Sequence, residues 1–513
     1  MLGMRPIRAA FVGVFVTLLA LSASAAPVDA ESARKSAERW GVRRHHARQG
    51  ALRTRRVPHR VRTFRANGAD AFHVVDFAGG GFAVVPADDR IVSVVAFSDS
   101  GSLKEDPKSP LWRLLNADLP RRMRRVRDNA PYQADLLRRV RDNAPYQADG
   151  SSDGRADCPQ SAAEKDSVFD VRVEPLLTTH WGQEGAIFNA LTPSNYPCGC
   201  VATSAAQLMR YHRFPRTSVE PRTFDCWIDG KPSPQTLLGG PYDWAAMPDR
   251  PDETAAEAVG GLCYDAGVAT RMNWCAETSV ACEGMFAGSL TNLLGYANAV
   301  WKRYSQFVEE TNKVEDIQRA VYANLDAKCP VMLSIDLPGG GHSVVADGYG
   351  VQNGQIYTHL NFGWTGSGDA WYALPSDPEI DVVKGFVYNV FPEKTGELLT
   401  GRVVDGAGLP IAKATVTAEN DEKGVRTCQT DAQGIFALNV VGDRRWIVSA
   451  KIRKYNSTVL TNDVASSTST ILQAVRATEY DFDEKTGIVG NSWGNELIIC
   501  DYKPRVGFAI ILK

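Results

Sequence analysis

The sequence predicts an α+β unit of catalytic size, 167–395, set between a small N-terminal α/β unit and an all-β C-terminal sandwich. Three observations predict it. Between 167 and 391, helix-like and strand-like runs alternate with many glycines. Ahead of that lie two apolar runs, 71–77 and 82–86, joined through Gly79-Gly80-Gly81 in the pattern of a β-hairpin, with a third run at 91–97. Beyond Gly396 the texture becomes short alternating strands between turns, at 399–405, 414–418 and 434–440, as in a β-sandwich.

In chain order, the first signal is an address. Arg5 and Arg8 precede an apolar run, 9–21, that ends in Ser22-Ala23-Ser24-Ala25-Ala26. This is the pattern of a signal peptide, 1–26, cut after Ala25 or Ala26. The run is short for a membrane span, so a secreted product, extracellular or periplasmic, with no integral span after signal removal is expected. A length of 513 residues calls for roughly two to four domains. A net charge of −2 with 44% hydrophobic residues gives no global case for nucleic acid or a membrane surface as partner.

Between the N-terminal and central units lies a duplication. The string at 124–135, Arg-Arg-Val-Arg-Asp-Asn-Ala-Pro-Tyr-Gln-Ala-Asp, recurs at 138–149. Two copies are too few for a solenoid, so 124–166 reads as a basic linker, solvated and open to proteolysis, that runs into the flexible stretch Gly150-Ser151-Ser152-Asp153-Gly154.

The central unit turns on Pro197-Cys198-Gly199-Cys200-Val201-Ala202-Thr203-Ser204. Pro197 and Gly199 form a turn that delivers a cysteine to the start of a helix with small residues along one face. A thiol there sits among unpaired backbone N–H groups, which are expected to lower its pKa and make it a nucleophile. An isolated buried thiol is more often plain core, so the partners decide. With ten cysteines, an exported chain makes disulfides plausible, and their spacing does not form the paired C-x-x-C sets of a zinc site; no metal and no cofactor are expected.

A cysteine nucleophile needs a base, an orienter for the base and donors for the oxyanion. His342, in Gly339-Gly340-Gly341-His342-Ser343 at the start of a buried strand, is the base candidate; His180 and His359 are its rivals. Asn361, in Asn361-Phe362-Gly363-Trp364, is the orienter candidate, with Trp364 as a shield against water. Gln183 can join the Cys200 backbone N–H at the oxyanion. A second string, Asn491-Ser492-Trp493-Gly494, resembles the one around the orienting asparagine of papain-like enzymes but lies far beyond His342, in the strand-rich region.

These residues resemble the streptopain family of bacterial papain-like cysteine peptidases. The resemblance covers Trp181-Gly182-Gln183, Gly199 to Thr203, Ala206 to Met209, Tyr211-His212, Tyr242-Asp243-Trp244, Gly341-His342-Ser343 and Asn361 to Trp364. It extends to Gly81 to Val85, Ala87 to Arg90 and Ser98 to Gly101, which resemble the family's inhibitory propeptide, here 27–123. It implies a papain-like fold and a secreted endopeptidase made as a zymogen. Its partners would be protein or peptide substrates and its own propeptide as intramolecular inhibitor. By position it implies Cys200 as nucleophile, His342 as base, Gln183 in the oxyanion hole, and Asn361 and Trp364 orienting and shielding the histidine. Phe362 departs from the family's usual tryptophan. The extra cysteines depart too, and suggest a bridge such as Cys275 with Cys282. Family members often favour an apolar residue two positions before the cut, in a pocket here expected around 272–286. Residues 401–440 separately resemble a carboxypeptidase-regulatory-like accessory sandwich. The rival readings are a cell-wall peptide amidase and a non-catalytic surface binding protein.

Overall fold

A computed structural model of the chain describes residues 27–47, 57–128, 169–304, 313–374 and 382–502, the last without 421, 423, 471, 475–479 and 483–486. The expected signal peptide and the rest of the linker open to proteolysis, with the second copy of the duplication, lie outside the described residues. The first copy begins inside a helix, Pro110–Asp128, so its opening residues 124–128 are helical rather than linker.

One antiparallel sheet of eleven strands runs through the N-terminal and central units. From the N-terminal edge its order is Pro58–Ala66, Ala69–Phe77, Phe82–Pro86 and Ala96–Ser98. It continues with Ala370–Tyr372, Gln355–Asn361, Gly340–Gln352, Val331–Leu337, Val383–Phe391 and Asn298–Arg303. Asp170–Val173 adds to Gly340–Gln352 off this path. The expected hairpin 71–86 is present, whereas the run 91–97 yields only the short strand Ala96–Ser98. Pro58–Ala66 is a strand that hydrophobic alternation does not reveal. Arginines interrupt that alternation and pair with acids of the neighbouring strand: Arg62 bidentately with Asp76 at 3.0 and 3.1 Å, and Arg65 with Asp70 at 2.8 Å.

The N-terminal unit is thereby welded to the central one, with Phe97 opposite Trp371 at the joint. Trp40, Phe97, Phe169, Tyr357 and Trp371 pack as one cluster across it, ring centres 5.0 to 6.0 Å apart. Tyr357 OH donates to Val94 O at 2.8 Å and Ser98 Oγ to Asp369 O at 3.1 Å. From the helix Pro110–Asp128, buried Arg122 pairs with Asp118 at 2.7 Å and donates to Ala373 O at 2.6 Å, while Tyr372 OH donates to Asp118. Removing one member of such a buried pair costs about 3–5 kcal/mol, because it strands the other charge.

Two longer helices lie in the first half of the central unit. Cys200–His212 packs against Ala256–Ala269 through Ala202, Ala205, Ala206, Leu262 and Ala266, and small residues allow that close approach. Among the cysteines, Cys275 and Cys282 both carry free thiols, so the suggested bridge between them is not formed; Cys500 is disulfide-bonded.

At the C-terminal end two sheets face each other across a shared core. Leu399, Val403, Phe436 and Leu497 come from one sheet, and Val416, Trp446 and Val448 from the other. The late strand Ser492–Ile499 completes the first sheet by pairing parallel to Glu397–Asp405. The string Asn491-Ser492-Trp493-Gly494 sits where this sandwich meets the central unit. Asn491 bonds the amide of Asn389 and the N–H of Leu398, and Trp493 packs on Tyr322 at 5.2 Å. Among the described residues no helix is long and apolar enough to cross a membrane.

Candidate active site

Gly199 precedes the helix with φ +88°, and a side chain there would come within 3.1 Å of Met272 Cε and the Ser279 carbonyl, so this turn demands glycine twice over. Cys200 follows as the first helical residue, half-buried. Burial pushes its thiol up to about 11, and the Glu283 carboxylate adds to the rise. The backbone N–H groups of Ser343, Val201 and Cys200 itself oppose that rise. The helix start therefore acts as expected but does not win: in this propeptide-bearing form desolvation outweighs it, and the thiol stays protonated at neutral pH.

His342 lies on the strand Gly340–Gln352, one residue before Ser343. A hydrogen bond ties that strand to the helix that Cys200 opens, from Ser204 Oγ to Ser343 O at 3.1 Å. The imidazole is 5% exposed, and burial holds its pKa down at about 4. Nearby Arg113, from the N-terminal helix, also disfavours the imidazolium, and its guanidinium donates to the carbonyl of Pro338 in the loop leading to His342. Thiol and imidazole are thus both neutral here.

The orienter differs from expectation. His342 Nε2 lies 2.9 Å from the carbonyl oxygen of Phe362, and the Phe362 ring lies parallel to the imidazole at 6.5 Å. Nε2–H donating to that carbonyl leaves Nδ1 as the nitrogen free to act as base. The Asn361 side chain is spent elsewhere. Its oxygen accepts from Gln207 Nε2 at 3.1 Å and from Gly363 N–H at 3.0 Å, and its amide donates to Thr179 O at 3.0 Å. Strand alternation explains this, since successive side chains at the end of Gln355–Asn361 face opposite ways and the following carbonyl, not the amide, reaches the ring. Asn361 braces the turn that aims Phe362. On the other side of that residue, Asp369 Oδ1 accepts the Phe362 N–H at 2.9 Å.

Gln207, fully buried on the nucleophile helix, completes the brace by also accepting from Thr179 Oγ1 at 2.7 Å. The one polar residue in the run Ala205-Ala206-Gln207-Leu208 was the available signal for it.

Gln183 is stitched to the same turn. The Cys198 thiol reaches Gln183 O at 3.5 Å, and Thr203 Oγ1 bonds Gly182 O at 3.4 Å and Gly199 O at 3.0 Å. Gly182 in turn bridges Trp364, and Thr365 N–H donates to Trp181 O at 3.0 Å. The backbones of Gln183, Cys200 and Trp364 are thereby held on adjoining segments. The buried Gln183 Oε1 and Trp364 Nε1 have no hydrogen-bond partner among the described residues. Cys198, the other thiol of the turn, bonds Thr203 at 3.3 Å and faces buried Cys263.

Both rival histidines are occupied. His180 Nε2 meets Arg250 at 2.9 Å. His359 Nδ1 meets Asp347 at 2.6 Å in a buried site. Among the described residues no His, Cys, Asp and Glu side chains are grouped to hold a metal.

Residues 181–372 match the Peptidase C10 family, and residues 25–122 match the Spi protease inhibitor family. Streptopain of Streptococcus pyogenes is 22% identical over 326 residues, 59% of this chain and 73% of that protein. The streptopain of serotype M1 is 22% identical over 330 residues with the same coverage. Among solved structures, a prointerpain A fragment of Prevotella intermedia covers 65% of this chain and 99% of that one, at 23% identity and a TM-score of 0.47. Active interpain A covers 42% and 94%, at 26% identity and a TM-score of 0.35. The central unit of this chain belongs to the Peptidase C10 family of cysteine-type endopeptidases, and an inhibitory propeptide of the Spi protease inhibitor family precedes it.

Proposed function

We propose that the chain is exported as a zymogen and hydrolyses peptide bonds of protein substrates with Cys200 as nucleophile and His342 as general base and acid. The single observation that carries this reading is the hydrogen bond from Ser204 Oγ to Ser343 O at 3.1 Å, which ties the helix that Cys200 opens to the strand that bears His342. In the proposed reaction His342 Nδ1 takes the thiol proton and sulfur attacks the scissile carbonyl. The imidazolium returns the proton to the leaving amine, and water then releases the acyl-enzyme. The Cys200 N–H and the Gln183 side-chain amide are the proposed oxyanion donors, each worth about 3 kcal/mol in systems of this kind. Phe362 O orients the imidazole, Asn361 and Gln207 brace Phe362, and Trp364 walls the site.

Silence before maturation follows from the same contacts. Sheet continuity through Ala96–Ser98, the buried Asp118–Arg122 pair and Arg113 beside His342 hold the propeptide in place and keep thiol and imidazole neutral. Propeptide loss admits water and removes Arg113, which favours the thiolate–imidazolium pair. The proposed cut falls in the duplicated linker, with the mature start between Ala148 and Val168. Export rests on the signal-peptide pattern at 1–26. Incubating wild type and Cys200→Ser with casein, with and without a thiol-alkylating inhibitor, tests the reading. Inhibitor-sensitive hydrolysis by wild type alone is expected; hydrolysis by Cys200→Ser would refute the mechanism.

A further inference from the structure

Glu283 stands in an unusual position for a carboxylate. It opens the helix Glu283–Asn292, where an acid is favoured by the helix N-terminus and ordinarily points to water. Here it is only 6% exposed, and its Oε1 accepts from the Ser343 hydroxyl at 2.8 Å. Ser343 follows His342 on its strand, and its carbonyl accepts from Ser204 Oγ of the helix that Cys200 opens at 3.1 Å, so the carboxylate lies one side chain away from the junction of the two elements that carry Cys200 and His342. No lysine or arginine among the described residues forms an ion pair with it, and the Ser343 hydroxyl is its only hydrogen-bond donor among them. Gly284 fixes the helix start in place, because a side chain there would run into the Trp301 ring at 2.8 Å. Met272 and Ser279 pack on Gly199, the residue before Cys200.

For the chemistry alone this carboxylate is a handicap, since a negative charge beside the sulfur disfavours the thiolate. A buried anion lacking a cation is also costly to the fold. Both costs vanish when a cationic side chain enters and pairs with it. We propose that Glu283 is a specificity residue that receives a lysine or arginine side chain of the substrate, within two residues on the acyl side of the scissile bond. The inference rests on the reading of Cys200 as the nucleophile. It departs from the apolar preference that the family resemblance implies. It also fits the chain's own linker, where Arg124-Arg125-Val126-Arg127 and Arg138-Arg139-Val140-Arg141 offer such side chains twice. Neutralisation of Glu283 by the bound cation would favour the thiolate only when the matching substrate is in place.

The test is kcat/KM of the matured full chain on fluorogenic peptides that carry arginine, lysine, leucine or glutamate at the two positions before the cut, for wild type, Glu283→Gln and Glu283→Lys. Titration with an irreversible thiol reagent counts competent sites in each preparation. Wild type is expected to prefer the basic peptides over the leucine peptide at least tenfold. Glu283→Gln keeps an acceptor for Ser343 and should collapse that ratio to within about threefold, and Glu283→Lys should turn the preference towards glutamate. Thiol-dependent hydrolysis with no basic preference, or a ratio unchanged in Glu283→Gln, would overturn the assignment of Glu283 and leave the nucleophile standing. Absence of thiol-dependent hydrolysis of any peptide would overturn both.

Discussion

The imidazole Nε2 of His342 lies 2.9 Å from the main-chain carbonyl of Phe362, so the histidine proposed as base is aimed by backbone rather than by the amide of Asn361. A carbonyl so used is only as well placed as the turn that carries it. That turn is pinned on one side by Asn361 with Gln207 and Thr179, and on the other by Asp369.

Asn361→Ala is therefore expected to act on positioning. It leaves the Gln207 amide and the Thr179 carbonyl buried without partners, at about 1–3 kcal/mol each. A lowered Tm together with a kcat loss of about 10- to 100-fold is predicted, well short of the roughly 10⁴-fold loss seen when a direct triad orienter is changed. Differential scanning calorimetry and steady-state kinetics on one preparation check both. A full 10⁴-fold loss with unchanged Tm would return Asn361 to direct contact with the imidazole.

Arg113→Ala removes a cation beside His342 and the tether to Pro338 O. The zymogen should mature about 3- to 10-fold faster, the equivalent of one charge-assisted hydrogen bond of about 1 kcal/mol or slightly more. A time course of propeptide loss on gels reads this directly, and an unchanged or slower rate would remove Arg113 from the silencing contacts.

Histidine burial gives the zymogen a pH signature. The His342 pKa falls from an ordinary 6.5 to about 4, so between those values the unfolded chain binds the proton and the folded chain does not. Its contribution is present above pH 6.5 and is lost as pH falls towards 4, by about 3 kcal/mol over the window. Cys200, raised from 9 to about 11, costs stability as pH rises through that higher range. His342→Gln, in which the amide still donates to Phe362 O, should flatten the acid limb of Tm against pH relative to a Cys200→Ser zymogen. Parallel acid limbs in the two would contradict the neutral, buried imidazole.

Much of this architecture was legible in the residues, and the gaps have physical causes. The turn at Gly199 and the pair Gly339-Gly340 before His342 announce local geometry, because a positive φ at each position favours glycine. The strand Pro58–Ala66 was hidden because arginines interrupt the hydrophobic alternation, although cross-strand acids satisfy them. The histidine's true acceptor was hidden because every residue has a carbonyl, and no side-chain pattern marks the one that is used. The thiol's raised pKa was hidden because local sequence conveys the helix start but not the burial imposed by segments far along the chain. Glu283 reads as an ordinary helix-start acid until the fold sets Ser343 against it.

The account stands on Cys200 and His342 acting as one unit. Its most direct test is covalent labelling of the matured chain with a peptidyl electrophile, followed by mass mapping of all ten cysteines. The account predicts a single stoichiometric adduct on the Cys200 peptide in wild type, slowed at least 100-fold in His342→Ala. An adduct on another cysteine, or labelling of Cys200 at an undiminished rate without His342, would contradict it.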